Sequence, residues 1–200
     1  MNLMSSIDTR EQGESAESLK PNLTILIGGG VAIGVVSVVA LSGPVAIAAT
    51  VLGVLMLAGA DVDARTYLLP NVITFGATIC GVGSAWFLAQ LNPWSAASDA
   101  ILRAACMAGL LALLRWAYEG LRHREGLGLG DVKLAAAVGA WLPSEFIPLC
   151  FGLATTGALL VIVWGHLRGK RIERTMKIPL GTFLCPALWL AFYASRLPTG

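Results

Sequence analysis

The sequence predicts an all-α polytopic membrane protein, a bundle of about six to seven transmembrane helices. Two observations carry that reading. Of the 200 residues, 56% belong to the AVILMFWYC set and 13% are charged, where soluble domains carry about 25% charge; the mean hydropathy is +0.74. The apolar residues also fall in long uncharged runs of membrane-spanning length. This composition excludes a disordered chain and leaves too little charge to coat a soluble enzyme of this size. The formal net charge of +2 does not mark a nucleic-acid binder.

The elements follow in order. Residues 1–21 are polar, with Asp8, Glu11, Glu14 and Glu17 against Arg10 and Lys20 and with several serines. They read as a disordered cytoplasmic tail. The tail is too acidic for a secretory signal, and the apolar run behind it is too long. Residues 22–200 read as one integral-membrane domain. From Leu23 to Ala60 there is no charged residue. A single helix would overshoot a bilayer that takes about 20 residues, and Gly43-Pro44 supplies the break. Helices are expected over about 23–42 and 44–62, then over about 71–91, 101–119, 131–146, 147–166 and 178–195. Pro143 interrupts the fifth, so the fifth and sixth could form one bent pair.

Seven spans place the N-terminus and three loops on one side. That side holds twelve Lys and Arg residues, counting Arg115, and the other only Arg103 and Arg196. The positive-inside bias assigns the first side to the cytoplasm. Trp94 and Trp141 are expected at one interface, Trp116 and Trp164 at the other. Cys80, Cys106, Cys150 and Cys185 lie far apart with no CxxC pair and read as small apolar helix residues.

A charge at the centre of a span costs about 2.5–3.5 kcal/mol on insertion scales, so the retained acids are informative. The first group is Asp61-Val-Asp63-Ala-Arg65, followed by Leu69-Pro70-Asn71. An Asp at a helix C-terminus meets the negative end of the macrodipole. A structural reading lets both carboxylates reach water beside Arg65, with Pro70-Asn71 as a turn and Asn71 capping the next helix. The second group is Gly126-Leu-Gly128-Leu-Gly130-Asp131-Val-Lys133. Its structural reading is a flexible loop with Asp131 as an N-cap, worth about 1 kcal/mol. A phosphate loop does not fit, for want of Gly-Lys-Ser/Thr. Glycines also let a backbone approach a peptide substrate closely.

Other polar residues offer less. His123 and His166 have no ligand spacing, and Ser84 lacks the frame of a nucleophile elbow. The basic run from His166 to Lys177 reads as the positive-inside signal with contact to anionic membrane lipids.

Asp63-x-Arg65-x-x-x-Leu69-Pro70-Asn71 resembles the first-aspartate motif of type IV prepilin peptidases, and Gly128-Leu129-Gly130-Asp131-Val132-Lys133-Leu134 resembles their second, of the GxGD class of membrane aspartyl proteases. Ile178-Pro179-Leu-Gly181-x-Phe183-Leu184 resembles a third stretch, with Thr182 where a proline is common. The resemblance implies a catalytic pair, Asp63 and Asp131, because Asp61 stands at the wrong distance from Pro70-Asn71. It implies a loop or substrate-binding role for Gly128, Gly130, Pro70, Asn71 and Lys133. It implies cleavage of leader peptides from prepilin or pseudopilin substrates of pilus and secretion systems, at the cytoplasmic face of the bacterial inner membrane. Residues 22–200 would then form the peptidase domain. A peptidase-only form is expected, since the paired CxxC motifs of the methyltransferase region are lacking. No metal or cofactor is implied, and a dinuclear metal at the two aspartates would lack neighbouring His ligands. The resemblance does not fix an oligomeric state.

Two carboxylates brought close share one proton and can activate water. From the helix ends, Asp131 is expected to be the resting base and Asp63 the resting acid. Two other classes compete. A small proton- or cation-coupled transporter would use the same acids as a relay, although both stand at the membrane edge rather than the midplane. A non-catalytic assembly factor for a pilus or secretion machine would hold them only as interfacial charges.

Overall fold

A computed structural model of the protein describes residues 21–122, 128–168 and 180–197. These form seven α-helices: α1 (Leu23–Ala40), α2 (Gly43–Thr66), α3 (Asn71–Leu88), α4 (Pro93–Arg122), α5 (Leu129–Trp141), α6 (Ile147–Leu167) and α7 (Leu180–Arg196). A short 3-10 turn, Ser144–Phe146, joins α5 to α6. The expected tail, apart from its last residue, lies outside the described residues. So do Gly126, the basic run from 169 onward and Ile178-Pro179.

Among the described residues, five segments are long and apolar enough to cross a membrane: α1, α2, α3, Pro93–Leu121 of α4, and Ser144–Leu167. With 13 residues, α5 reaches about 20 Å at 1.5 Å per residue and does not cross alone.

The break between α1 and α2 falls where Gly43-Pro44 predicts it. Leu41 N–H closes α1 by bonding Ser37 O. Gly43 takes a φ of +33°, which glycine tolerates, and Pro44 lies in the first turn of α2. The fifth and sixth helices separate at Leu142-Pro143, so α5 is a short helix of its own. Other boundaries shift too: α3 stops at Leu88, about three residues early, and two further changes bear on the site and its packing. α2 runs one turn further, to Thr66. α4 begins at Pro93, eight residues early. Its polar start, with Ser95, Ser98 and Asp99, is helical without being apolar, so Arg103 sits inside the helix and its Nε donates to Gly139 O at 3.2 Å.

The core is built from α2, α5 and α7, with α3 and α4 packed around α5. Leu134, Ala135, Ala137, Val138, Gly139, Ala140 and Trp141 of α5 are all buried. Two indoles lock this core, each by donating to the carbonyl of another helix. Trp141 Nε1 reaches Ala77 O of α3 at 2.7 Å, and Trp189 Nε1 reaches Ala49 O of α2 at 3.0 Å. Trp141 also meets Phe192 edge-on at 5.3 Å. It is therefore a core residue, not the interface anchor the sequence suggests. α1 and α6 are peripheral: Val31, Val35, Val38 and Val39 of α1 and Leu159, Leu160 and Val161 of α6 face outward. Such an apolar exterior suits lipid.

Candidate active site

Asp63 and Asp131 come together at one end of the bundle, where α2 ends and α3, α5 and the described α7 begin. Asp63 lies in the last turn of α2 and is 4% exposed. Its Oδ2 accepts two hydrogen bonds from one residue of α7: the Thr182 N–H at 2.6 Å and the Thr182 hydroxyl at 2.9 Å. α7 comes this near because residue 181 is glycine. A Cβ there would stand 2.9 Å from Asp63 Oδ2 and would also strike a methyl of Leu69.

α2 stops through Tyr67, whose N–H bonds Asp63 O at 2.9 Å and whose φ is +56°. A left-handed conformation costs a non-glycine residue about 1–2 kcal/mol. Here it reverses the chain so that Leu69 returns to pack on the core while Leu68 stays exposed. Thr66 Oγ1 braces the reversal by donating to Val62 O at 2.8 Å and accepting from Leu68 N at 3.3 Å. Leu69 then wedges between the two glycine-bearing helices. A Cβ on Gly130 would lie 3.1 Å from Leu69 Cβ, so both Gly130 and Gly181 make room for this one side chain.

Asp131 sits in the first turn of α5, outside the five spans. It is not the N-cap; Gly128 is, with an ordinary extended backbone of φ −70° and ψ 146°. The Asp131 carboxylate reaches back to accept from Gly128 N–H, the carboxylate half of a capping box. Burial, and then the nearby charge of Asp63, push the Asp131 carboxyl up to about 6, against the opposing pull of that Gly128 bond. A Cβ on Gly128 would lie 3.3 Å from Asp131 Oδ2.

The remaining expected residues brace the same end. Pro70 is the N-cap of α3. Asn71 does not cap that helix: its side-chain oxygen instead accepts from Lys133 Nζ at 2.6 Å, tying α3 to α5. Lys133 also lies over the Phe75 ring, 5.6 Å from its centre. Asp61 points away from the pair. Its Oδ2 accepts from Asn22 N–H and from Arg65 Nη2, both at 2.7 Å, so it fastens the start of α1 to the end of α2.

The sequence matches the model of the type IV leader peptidase family over residues 50–165, which include both aspartates. It is 38% identical over 136 residues to leader peptidase HopD of Escherichia coli, covering 68% of this chain and 84% of that one. It is 33% identical over 147 residues to a prepilin leader peptidase/N-methyltransferase of Xanthomonas campestris, covering 72% of this chain and 49% of that one. A protein of the same name from Burkholderia pseudomallei is 35% identical over 165 residues, covering 80% of this chain and 50% of that one. The chain belongs to the type IV leader peptidase family. The matches to the two longer relatives span about half their length. No solved structure matches.

As a leader peptidase family member the chain is a peptidase and a multi-pass bacterial membrane protein. Its three sequence stretches converge: Leu69 touches the second and third, and Asp63 is bonded by the third. Of the glycines in the second stretch, Gly130 accommodates Leu69 and Gly128 lies against the Asp131 carboxylate. Among the described residues no three His, Cys, Asp or Glu side chains cluster. Sequence reasoning assigned no role to Thr182. Its only signal was being a hydroxyl residue beside a glycine where a proline is common.

Proposed function

We propose that this leader peptidase cleaves the leader of prepilin or pseudopilin-like substrates by a two-aspartate, activated-water mechanism. The observation that supports it most is the meeting of Asp63 and Asp131 at one end of the bundle, Asp63 seated on a backbone N–H of α7 and Asp131 on that of its own helix's N-cap. Such a pair takes one proton between its members. The ionised carboxylate removes a proton from water as the oxygen attacks the scissile carbonyl. The protonated partner gives its proton to the carbonyl oxygen. Collapse of the resulting diol returns a proton to the leaving amine and breaks the C–N bond.

Asp63 faces more than the negative end of its own helix, since two donors from α7 converge on its carboxylate. The shared proton is therefore a property of the pair.

The active-site end carries Arg65, Arg115, Lys133 and Arg168 among the described residues. The positive-inside rule supports a cytoplasmic active site in the bacterial inner membrane.

The deciding experiment is cleavage of a candidate prepilin in membranes by the wild type, Asp63→Asn and Asp131→Asn at matched expression. A cut at the leader boundary that both variants lose is the expected result. Variants that cut as well as wild type would leave the pair structural and return the transport and assembly readings.

A further inference from the structure

Thr182 lies outside the stretch matched to the family, 119 residues along the chain from Asp63, yet both of its donors end on one atom of Asp63. A carboxyl group has two chemically equivalent oxygens until its surroundings distinguish them. Here Oδ2 already accepts an N–H at 2.6 Å and a hydroxyl at 2.9 Å. A proton on that oxygen would leave it one lone pair for two donors, so the Thr182 hydroxyl would have to give up its bond or turn round to accept. The contact is also built in: Gly181 lets α7 approach, since a Cβ at 181 would stand 2.9 Å from this same oxygen.

We propose that Thr182 is a positioning residue for the hydrolysis: its N–H and hydroxyl hold Oδ2 of Asp63 as an acceptor, so that Oδ1 exchanges the proton with water and substrate. The carboxyl is thereby fixed in rotation, and the proton is kept on one oxygen of the two. This rests on the two-aspartate reading above. The hydroxyl half of the device can be removed by substitution while the backbone half remains.

The test is steady-state cleavage by the purified full chain in detergent, with kcat and KM measured separately. The variants are Thr182→Val, which keeps the shape and loses the hydroxyl, and Thr182→Ser, which keeps the hydroxyl and loses the methyl. The valine variant should lose about ten-fold to a hundred-fold in kcat, as expected for one hydrogen bond to a charged group, with KM little changed. The serine variant should stay within about three-fold of wild type. Wild-type kcat in the valine variant, or an equal loss in both, overturns the proposal, the second because the methyl packing would then be what matters. If the valine variant does not fold, Thr182→Ala against Thr182→Ser carries the same comparison, because these differ by the hydroxyl alone. Asp63→Asn is run alongside. If it stays active, the two-aspartate reading itself fails; if it is inactive while the valine variant is unimpaired, only the role of Thr182 falls.

Discussion

Asp61 and Asp63 stand two residues apart on one helix and serve opposite purposes. A step of two residues turns an α-helix by about 200°, so the two carboxylates leave α2 on opposite faces. Asp61 faces the start of α1, bonds it there and pairs with Arg65. Asp63 faces inward onto Thr182, close enough to Asp131 for its charge to be felt there. The same residue type, in almost the same sequence context, fastens a peripheral helix in one case and forms the site in the other. Helical phase, not local composition, separates them.

The sharpest way to break this comparison is to neutralise each acid in turn. Asp63→Asn should lower cleavage by at least about a thousand-fold, since general acid–base groups contribute about 10²–10⁴ each and the pair acts as a unit. Asp61→Asn should leave cleavage within a few-fold and cost about 1 kcal/mol of stability, as for a partly exposed ion pair. Leader-peptide cleavage and thermal unfolding in detergent, run on both variants, check this. A dead Asp61→Asn enzyme with normal folding would erase the distinction.

Next in size are the glycines that admit Leu69. Gly181→Ala puts a methyl against both Leu69 and the Asp63 carboxylate, whereas Gly130→Ala meets only Leu69. Overpacking of this kind costs about 1–3 kcal/mol. Both variants should lose stability, and Gly181→Ala should lose more activity, about ten-fold or more, because it also displaces Asp63. Activity assays normalised to folded protein test the order. Gly130→Ala proving the more damaging would mean that the loop before α5, rather than the seat of Asp63, is the sensitive element.

How far the sequence foretells this arrangement follows from the kind of signal involved. Uncharged runs and Gly43-Pro44 place the helices, because bilayer thickness and backbone sterics act locally. The early start of α4 escapes notice because a scan for apolarity passes over Ser95, Ser98 and Asp99, which are polar and helical at once. Trp141 looks the same in sequence whether it faces lipid or core; only its bond to Ala77 O decides. Asn71 resembles a helix cap until Lys133, 62 residues away, claims its oxygen. The candidate acids stand out because charge in an apolar chain is expensive. Thr182 does not, because a threonine in an apolar helix ordinarily bonds its own backbone, and nothing near it in sequence announces Asp63.

The comparison also predicts a stability effect at the second acid. The Asp131 carboxyl is raised from 3.8 to about 6, chiefly by burial, so the fold favours its protonated form. Its stabilising contribution is complete below about pH 4 and is lost as pH rises through about 6. Asp131→Asn, which keeps an acceptor for Gly128 N–H and carries no charge, should therefore melt higher than wild type at pH 8, by about 1–3 kcal/mol. The gap should close at pH 4. In the wild type, cleavage should rise across the same window as the carboxylate ionises. A gap that does not change with pH would mean that burial of the charge is not what separates the two proteins.

The smallest effect is expected at Lys133, and it bears on whether the site's outer braces matter at all. Its ammonium ties Asn71 to α5 from an exposed position and lies over Phe75. An exposed bond of this kind contributes up to about 1 kcal/mol, because water competes for both partners. Lys133→Met keeps the aliphatic stem and its packing on Phe75 while removing the bond to Asn71. Cleavage should fall only two- to five-fold, about that one bond's worth. Asn71→Ala should produce a loss of similar size, and the double variant should be little worse than either single one, because the two changes remove the same interaction. Losses that multiply in the double variant would show that Lys133 and Asn71 act separately, each on something other than the other.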